Sequence, residues 1–414
     1  MRASAAREEE VERGGRGEAR RDAPEWPRVP LGELAHIIAG QSPPGSTYRR
    51  EPVGLPFFQG KADFGDRHPV ARVWCTEPNK IAQPGDVLMS IRAPVGPTNV
   101  ADTECCIGRG LAALRCGPTL DRDYLLWFLR SIEADIAKQG SGSTFDAINR
   151  DQLEALEIPL PPLAEQERIA GRLTEQLGGV ERARDAAAQR LAAAEALPAA
   201  LLREVFDGPQ ASGWETVRLG DVCRCVEGQV DPRDAEYARL PHINGENIES
   251  GTGRLLEVRT AAEDGLISGK YLFEPGMILY SKLRPYLRKV TIAPTRGVCS
   301  ADMYPLMFDP ARVDPAFALY SLLAEPFTTY AVDESRRARM PKLNREQLFA
   351  WDFPLPPDLP TQRRLAAELT QRLAAAEGVI ARCREELAAI EALPASLLRD
   401  AFGGGRDGQE PEGA

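Results

Sequence analysis

The chain has 414 residues, of which 43% are hydrophobic and 27% charged, and its formal net charge is -10. This length is enough for two or three domains with separate cores, so one compact fold is the less favoured interpretation. The acidic balance argues against a protein that simply coats nucleic acid, because binding to phosphates requires Lys and Arg. Two stretches, Lys270–Lys289 and Arg336–Arg345, are nevertheless locally basic.

The N-terminal segment, residues 1–25, is rich in Arg and Glu and contains no apolar run typical of a secretory signal. No stretch of the chain approaches the roughly 20 apolar residues of a membrane span. We therefore predict a cytoplasmic protein that makes no contact with a membrane, with a disordered tail over residues 1–25.

Residues 26–162 form the first predicted domain. Short β-type runs such as Asp86–Ile91 are separated by Gly and Pro turns, and the run Asp123–Leu129 begins with an Asp, as a capped helix does. This mixture predicts an α+β domain. The proline-rich segment Ile158–Pro162 ends it, because proline lacks a backbone donor and disfavours helix at the preceding residue.

A long helix is predicted over residues 163–207. Its apolar residues come close to a heptad stripe, with Leu173, Leu177, Val180 and Leu191 in the predicted contact face. Some forty helical residues reach roughly 60 Å, which is too long for one small domain. Pro198 is expected to kink or end this helix.

After a linker over residues 208–213, the chain repeats itself. The second copy comprises a second domain over 214–357 and a second long helix over 358–402, followed by a disordered tail over 403–414. Matched segments occur in the same order in both copies: Trp26–Gly32 with Trp214–Gly220, Pro84–Gly85 with Pro275–Gly276, Asn149–Leu153 with Asn344–Leu348, Ile158–Pro162 with Phe353–Pro357, and Ala196–Arg203 with Ala392–Arg399.

The two copies agree best at their ends and differ most in their centres. One interpretation is that the ends are a shared scaffold and the centres face different targets. The alternative is that a tandem duplication has simply drifted fastest on its surface.

The second helix keeps the same apolar register, at Leu369, Leu373, Ile380 and Leu387. We predict that the two helices pair as an antiparallel coiled coil with pseudo-two-fold symmetry, which places one domain at each end of a spacer. The alternative is that each helix packs only on its own domain. Pro394, equivalent to Pro198, is expected to kink or end the second helix.

The parts of a catalytic site are absent from the sequence. Only three histidines occur, and the eight cysteines are scattered without the spacing of a zinc site. The stretch Gly140–Thr144 lacks the Gly-Lys pair of a phosphate-binding loop. We therefore predict no catalytic residue, no metal and no cofactor bound by this chain, and mostly packed, reduced thiols.

The junctions between domain and helix resemble those of a known family. The segments Gly142–Leu153 and Ile158–Ile169 are similar to the end of a target recognition domain and the start of its helix in type I restriction-modification specificity subunits. The second junction departs from this pattern, because Asp358–Arg364 keeps Gln362 but lacks the usual Glu before it and has one extra residue.

The resemblance implies a function without catalysis. Each target recognition domain of such a subunit reads one half of a split, asymmetric site on double-stranded DNA, and the helices set the gap and dock two methyltransferase (M) subunits. The M subunits use S-adenosylmethionine, and separate restriction (R) subunits use ATP and magnesium to translocate and cut.

Basic side chains in the divergent centres are the predicted DNA contacts, since Lys and Arg bind phosphates and polar groups read base edges. The candidates are Lys61 and Arg92 in the first domain and Lys282, Arg284, Arg288, Arg336, Arg337 and Lys342 in the second.

Two rival functions belong to other classes. A coiled-coil adaptor joining two protein-binding domains, with no role on DNA, agrees with the acidic balance but not with the junction motifs. A nuclease fused to recognition domains leaves no room for its catalytic part, because the two repeats use the whole chain.

Overall fold

The structure is a computed structural model that describes residues 26–140, 147–336 and 341–403. The tails predicted over 1–25 and 403–414 lie outside these ranges, apart from Gly403. The chain forms two compact units: residues up to Ala186 together with those from Leu387 onward, and Ala187–Glu386. The division falls inside both long helices, so each unit contains one domain and a part of each helix.

The first domain is a mixture of short strands and helices. Strands and helices follow in the order β1 (Arg28–Pro30), α1 (Leu31–Leu34), β2 (Ala35–Ala39), β3 (Tyr48–Arg49), β4 (Leu55–Phe58), β5 (Trp74–Cys75), β6 (Ile81–Ala82), β7 (Val87–Ser90), β8 (Thr98–Val100), β9 (Cys105–Ile107), β10 (Leu111–Cys116), α2 (Arg122–Ser131), α3 (Glu133–Gly140), α4 (Arg150–Glu154) and β11 (Glu157–Pro159).

The strands of this domain form three sheets, with orders β2-β10-β7-β8, β3-β5-β4-β9-β6 and β1-β11. Alternate residues of β7 belong to two different cores, since Val87 and Met89 pack with α2 while Leu88 packs with Phe58 and Ile107 of the five-stranded sheet. A strand buried on both faces reads as a continuous apolar run, which explains the pattern at Val87–Met89.

The long helices follow the two domains. In the structure, the first consists of α5 (Leu163–Glu195) and α6 (Leu197–Phe206), and the break comes one residue before Leu197, with Pro198 in the first turn of α6. This agrees with the expectation that Pro198 ends or kinks the helix.

The second domain repeats the fold of the first. Its elements are β12 (Glu215–Arg218), α7 (Leu219–Val222), β13 (Cys223–Cys225), β14 (Pro241–Ile243), β15 (Arg259–Thr260), β16 (Tyr271–Phe273), β17 (Ile278–Ser281), β18 (Val290–Ile292), β19 (Gly297–Cys299), β20 (Met303–Phe308), α8 (Pro315–Leu323), α9 (Glu325–Ser335), α10 (Arg345–Phe349) and β21 (Asp352–Leu355), followed by α11 (Leu359–Phe402). Its sheets have orders β13-β20-β17-β18, β15-β14-β19-β16 and β12-β21.

The chain is therefore of the α+β class, as predicted, with two domains and two long helices. The helix α11 continues through Pro394, so of the two expected effects this proline does not end the helix, and a kink stays a prediction. Among the described residues, no helix is both long and apolar enough to cross a membrane.

Helix segments pack against each other in opposite directions inside each unit. In the unit Ala187–Glu386, Arg190 donates to Glu386 at 2.6 Å, Arg384 to Glu195 at 2.6 Å and Arg372 to Glu204 at 2.6 Å. From one pair to the next, the residue number increases along the first helix and decreases along α11. The two helices are therefore antiparallel. Arg190 and Glu386 also occupy equivalent positions of the two repeats, since each lies six residues before the matched segment Ala196–Arg203 or Ala392–Arg399.

Candidate nucleic-acid interface

The Asn-Arg-x-Gln-Leu motif of both repeats builds a helix cap. The Asn149 side chain accepts from the backbone N–H of Gln152 at 2.9 Å, and the Gln152 side chain accepts from the N–H of Asn149 at 2.9 Å. Asn344 and Gln347 make the same reciprocal pair at 2.8 and 3.0 Å. These residues start α4 and α10, so the motif stabilises the scaffold and does not itself present groups to a ligand.

A second glutamine, Gln166 in the first repeat and Gln362 in the second, lies in the first turn of each long helix. Gln166 is fully buried; its Oε1 accepts from the N–H of Asp121 at 2.9 Å, and its Nε2 donates to Pro161 O at 2.8 Å and Thr119 O at 3.0 Å. Gln362 accepts from the N–H of Asp314 at 2.9 Å in the same way. The buried amide therefore fixes the start of each long helix to the loop before α2 or α8.

A rigid turn between β9 and β10 organises the loops of the first domain. The N–H of Gly108 donates to Phe58 O at 2.8 Å, and Gly110 O accepts from the N–H of Ile91 at 2.9 Å. A Cβ added at Gly110 would lie 2.2 Å from Gln59 O, in the loop after β4. That loop can approach the turn this closely only because residue 110 is a glycine. The loops after β4, β7 and β9 consequently meet at one end of the domain.

The two basic candidates of the first domain lie on these loops. Lys61 and Arg92 are both exposed, and Arg92 forms a bridge with Ala147. Arg109, at the tip of the turn between them, is exposed as well and was not among the sequence candidates. The signal that identifies it is the pair of flanking glycines, since glycines on both sides of a basic residue mark a tight turn.

In the second domain, the loop after β17 lies beside the segment that leads to α10. Leu283 forms a bridge with Lys342, and the N–H of Arg284 donates to Pro341 O at 2.9 Å. Arg284 and Lys342 are exposed, and Tyr286 is 54% exposed next to them. The structure thus brings two of the groups predicted from the sequence, Arg284 and Lys342, into one place.

The remaining candidates of the second domain are distributed differently. Lys282 is only 12% exposed, because its Nζ donates to Ala301 O and pairs with Asp302 at 3.3 Å. Arg288 is half-buried and reaches Leu323 O at 3.5 Å. Arg336 is exposed but pairs with Asp333 at 3.2 Å, and Arg337 lies outside the described residues.

Equivalent positions of the two domains carry different chemistry on the same backbone. The turn Gly108–Gly110 corresponds to Ser300–Asp302, because both turns make the same backbone hydrogen bond. Gly110 O accepts from the N–H of Ile91, and Asp302 O accepts from the N–H of Lys282 at 3.1 Å. Arg109 of the first domain is thereby replaced by Ala301 in the second. The loops that share a scaffold differ in charge, shape and hydrogen-bonding groups.

An ion pair between half-buried Arg115 and buried Asp86 shows the same divergence. Arg115 donates to both carboxylate oxygens of Asp86 at 2.9 Å, and these hydrogen bonds raise the pKa of Arg115. Asp86 also accepts from the N–H of Gln83 at 2.8 Å. The second domain has Met277 and Met307 at these positions, and the Met277 sulfur accepts from the N–H of Glu274 at 3.4 Å.

The predicted residues of the helix pair lie in three surroundings. Leu173 and Leu369 are buried in the cores of the first and second domains, and Leu177 and Leu373 pack against the same cores. Four further residues are half-buried along the helices: Val180, Leu191, Ile380 and Leu387. Alanines of the same apolar stripes are more completely buried there, namely Ala187, Ala194 and Ala376.

Burial disfavours the ionised form of several thiols in the part of the chain that the structure describes. Burial raises the pKa of Cys105, Cys116 and Cys299 to about 12, which suppresses the thiolate. None of the eight cysteines forms a disulfide. Within 26–140, 147–336 and 341–403, no group of three or more His, Cys, Asp or Glu side chains is arranged to hold a metal ion.

Comparisons with known proteins agree with this architecture. Residues 24–180 match the family described as the type I restriction modification DNA specificity domain. The EcoDI type I restriction enzyme specificity subunit of Escherichia coli is 27% identical over 412 residues, covering 92% of this chain and 88% of that protein.

Two further similarities are higher in identity and shorter. The MjaX specificity subunit of Methanocaldococcus jannaschii is 43% identical over 152 residues, so this chain spans 36% of the length of that relative. A crystal structure of the HsdS subunit from Thermoanaerobacter tengcongensis is 53% identical, with a TM-score of 0.35, and the match covers 39% of this chain and 40% of that one.

Proposed function

We propose that this chain, which belongs to the family of type I restriction-modification specificity subunits, recognises a bipartite, asymmetric site on double-stranded DNA. Each domain reads one half of the site through the loops that follow β4, β7 and β9 in the first domain and their equivalents in the second. The proposal includes docking of two M subunits and of R subunits, with no catalytic role for this chain.

One observation carries the proposal: the two domains present different side chains from the same loop scaffold. A protein that binds the same ligand twice needs the same groups twice, whereas an asymmetric site requires two different readers. The contrast between Arg109 and Ala301 in equivalent turns is of this kind. Exposed Lys61, Arg92, Arg284 and Lys342 supply charges for phosphate contacts that position each domain.

Partner docking is supported by apolar surface on the long helices. Leu197 and Leu393, at equivalent positions of the two repeats, are 40% and 44% exposed. In the first unit, a groove of about 530 Å³ is lined by apolar Trp127, Leu177 and Ile390 and by charged Arg184 and Glu391. Such a surface suits a protein partner with apolar and charged groups.

The cofactors belong, in this proposal, to the partner subunits. S-adenosylmethionine would be bound by the M subunits, and ATP and magnesium by the R subunits, in a cytoplasmic complex. This chain contributes recognition and spacing, so the reaction depends on how it holds the partners on DNA.

The test is a binding titration with the assembled complex. This chain is co-purified with its M subunits. The affinity of the complex for a duplex that carries the motif methylated by this complex is compared with its affinity for a scrambled duplex over a range of salt concentrations. We expect a split, asymmetric motif and an affinity that falls steeply as salt rises, because bound counterions are released. Equal affinity for both duplexes would reject the proposal, and salt-insensitive assembly with no DNA binding would favour an adaptor.

A further inference from the structure

We propose that Arg109 determines specificity in the first half-site by reading a guanine base. This inference rests on the proposed function, since it assigns one side chain a role within DNA recognition. It concerns a residue that the basic-patch analysis of the sequence did not select.

The backbone of Arg109 is held firmly on both sides. Its N–H donates to the Ser42 side-chain oxygen at 3.2 Å, and its neighbours Gly108 and Gly110 are hydrogen-bonded to the loops after β4 and β7. A Cβ at Gly108 would lie 3.1 Å from Ser42 Oγ, and one at Gly110 would overlap Gln59 O. The turn is therefore packed on two faces, which fixes the point from which the arginine side chain projects.

The guanidinium group itself is uncommitted within residues 26–140, 147–336 and 341–403. Arg109 is exposed, and no described residue forms a hydrogen bond or ion pair with its side chain. Two other arginines of the domain are engaged: Arg67 pairs with Asp123 at 2.7 Å and Arg115 with Asp86 at 2.9 Å. The planar donor fork of Arg109 remains available for a bidentate acceptor.

The flanking charges favour a base over a phosphate as that acceptor. Both cations come directly after a residue that contacts Gly110. Gly60, before Lys61, has its Cα 3.6 Å from a Cβ built at Gly110. Ile91, before Arg92, donates its N–H to Gly110 O. Cations on both sides of the turn are placed to contact the sugar-phosphate strands. The side chain between them then points towards the groove, where guanine O6 and N7 accept two hydrogen bonds from one arginine.

The second domain provides an internal contrast. At the equivalent turn, Ala301 has no polar side chain, and its carbonyl oxygen accepts from Lys282 Nζ. Asp302, which replaces Gly110, pairs with the same lysine at 3.3 Å. The charged groups at this turn are paired with each other, so the proposed guanine contact is confined to the first half-site.

The experiment measures base discrimination by the complex with its M subunits. Affinities of the wild-type, Arg109→Ala and Arg109→Lys complexes are determined for the wild-type site and for duplexes in which each base pair is replaced in turn. We expect the wild-type complex to discriminate at a G·C pair in one half-site, and Arg109→Ala to lose about 5- to 150-fold of that discrimination at this pair alone. Lysine also donates to guanine O6 and N7 but lacks the planar fork, so Arg109→Lys is expected to keep a part of the discrimination that Arg109→Ala loses.

Lys61→Ala is the matched control. It removes a nearby exposed cation and is expected to weaken binding to all duplexes by the same factor without changing the base preference. Melting temperatures and far-UV circular dichroism verify that each variant is folded. The inference is overturned if Arg109→Ala retains the wild-type preference, if the loss is uniform over all duplexes, or if no G·C pair is discriminated in either half-site. Failure of the wild-type complex to prefer its site would instead reject the proposed function.

Discussion

The ring of Phe402, the last residue of α11, lies 5.4 Å from the ring of Tyr124 in α2. Phe402 also meets Phe128 at 5.6 Å, and Leu397 and Leu398 pack against the same core. The end of the second helix thus completes the core of the first domain. Phe206, its equivalent at the end of α6, packs at 5.3 Å from Phe317 in the second domain.

These two phenylalanines give a matched pair of variants. Phe206 is buried, whereas Phe402 is half-buried, so Phe206→Ala removes more contact area than Phe402→Ala. We expect losses in the free energy of unfolding of about 3–5 kcal/mol for Phe206→Ala and roughly 2 kcal/mol for Phe402→Ala. Urea denaturation measures both values, and equal losses would contradict the difference in burial.

The ion pair of half-buried Arg115 with buried Asp86 in the first domain can be compared with the methionine pair of the second. Replacing Arg115 alone by Met leaves the Asp86 carboxylate, which is 3% exposed, without its cation. We expect this to lower the free energy of unfolding by about 3 kcal/mol. The double change Asp86→Met with Arg115→Met copies the second domain and is expected to recover most of that loss. A double variant less stable than Arg115→Met would contradict this account.

Gln166→Glu tests the junction motif. The carboxylate keeps an acceptor for the N–H of Asp121 but cannot donate to Pro161 O and Thr119 O, so the variant places a charge against two buried carbonyl groups. We expect a loss of about 2–4 kcal/mol at neutral pH by thermal or urea unfolding. Glu167→Gln, at the exposed neighbouring position, serves as the control and is expected to change stability by under about 1 kcal/mol.

The cations of the second domain are expected to separate into two groups. Arg284→Ala and Lys342→Ala each remove an exposed charge, and each is expected to reduce the salt dependence of DNA binding by about one counterion. Lys282→Ala removes a charge already paired with Asp302, so the salt dependence should stay unchanged while thermal stability falls. The slope of log affinity against log salt measures this, and an equal reduction by Lys282→Ala would place that side chain on the DNA.

The local patterns of the sequence determined much of the architecture. Duplication is visible in ordered segments, and the proline-rich stretches and heptad-like leucines indicate where each domain gives way to a helix. These features depend on neighbouring residues, so they can be recognised in the sequence without knowledge of the tertiary structure. Leu173 and Leu369 were predicted on the inner face of their helices, and the structure buries them in domain cores as well as beside the other helix.

Charge alone did not reveal which basic residues are available. Lys282 and Arg288 stand in a basic stretch, yet each reaches a carbonyl oxygen that the fold brings from a distant segment. Arg109 stands apart from any basic run and is left unpaired by the described residues, because the two glycines let its turn fit between three loops.

The sequence by itself determined the repeated order of domain and helix, because periodicity, capping residues and proline act over a few neighbouring positions. Only the tertiary structure decided that Phe402 enters the core of the first domain, that Gln166 ties the helix to a loop, and that the Gly108–Gly110 turn lies beside Lys61 and Arg92. Each of these is a contact between segments far apart in the chain, and such contacts depend on the register in which strands and helices finally pack.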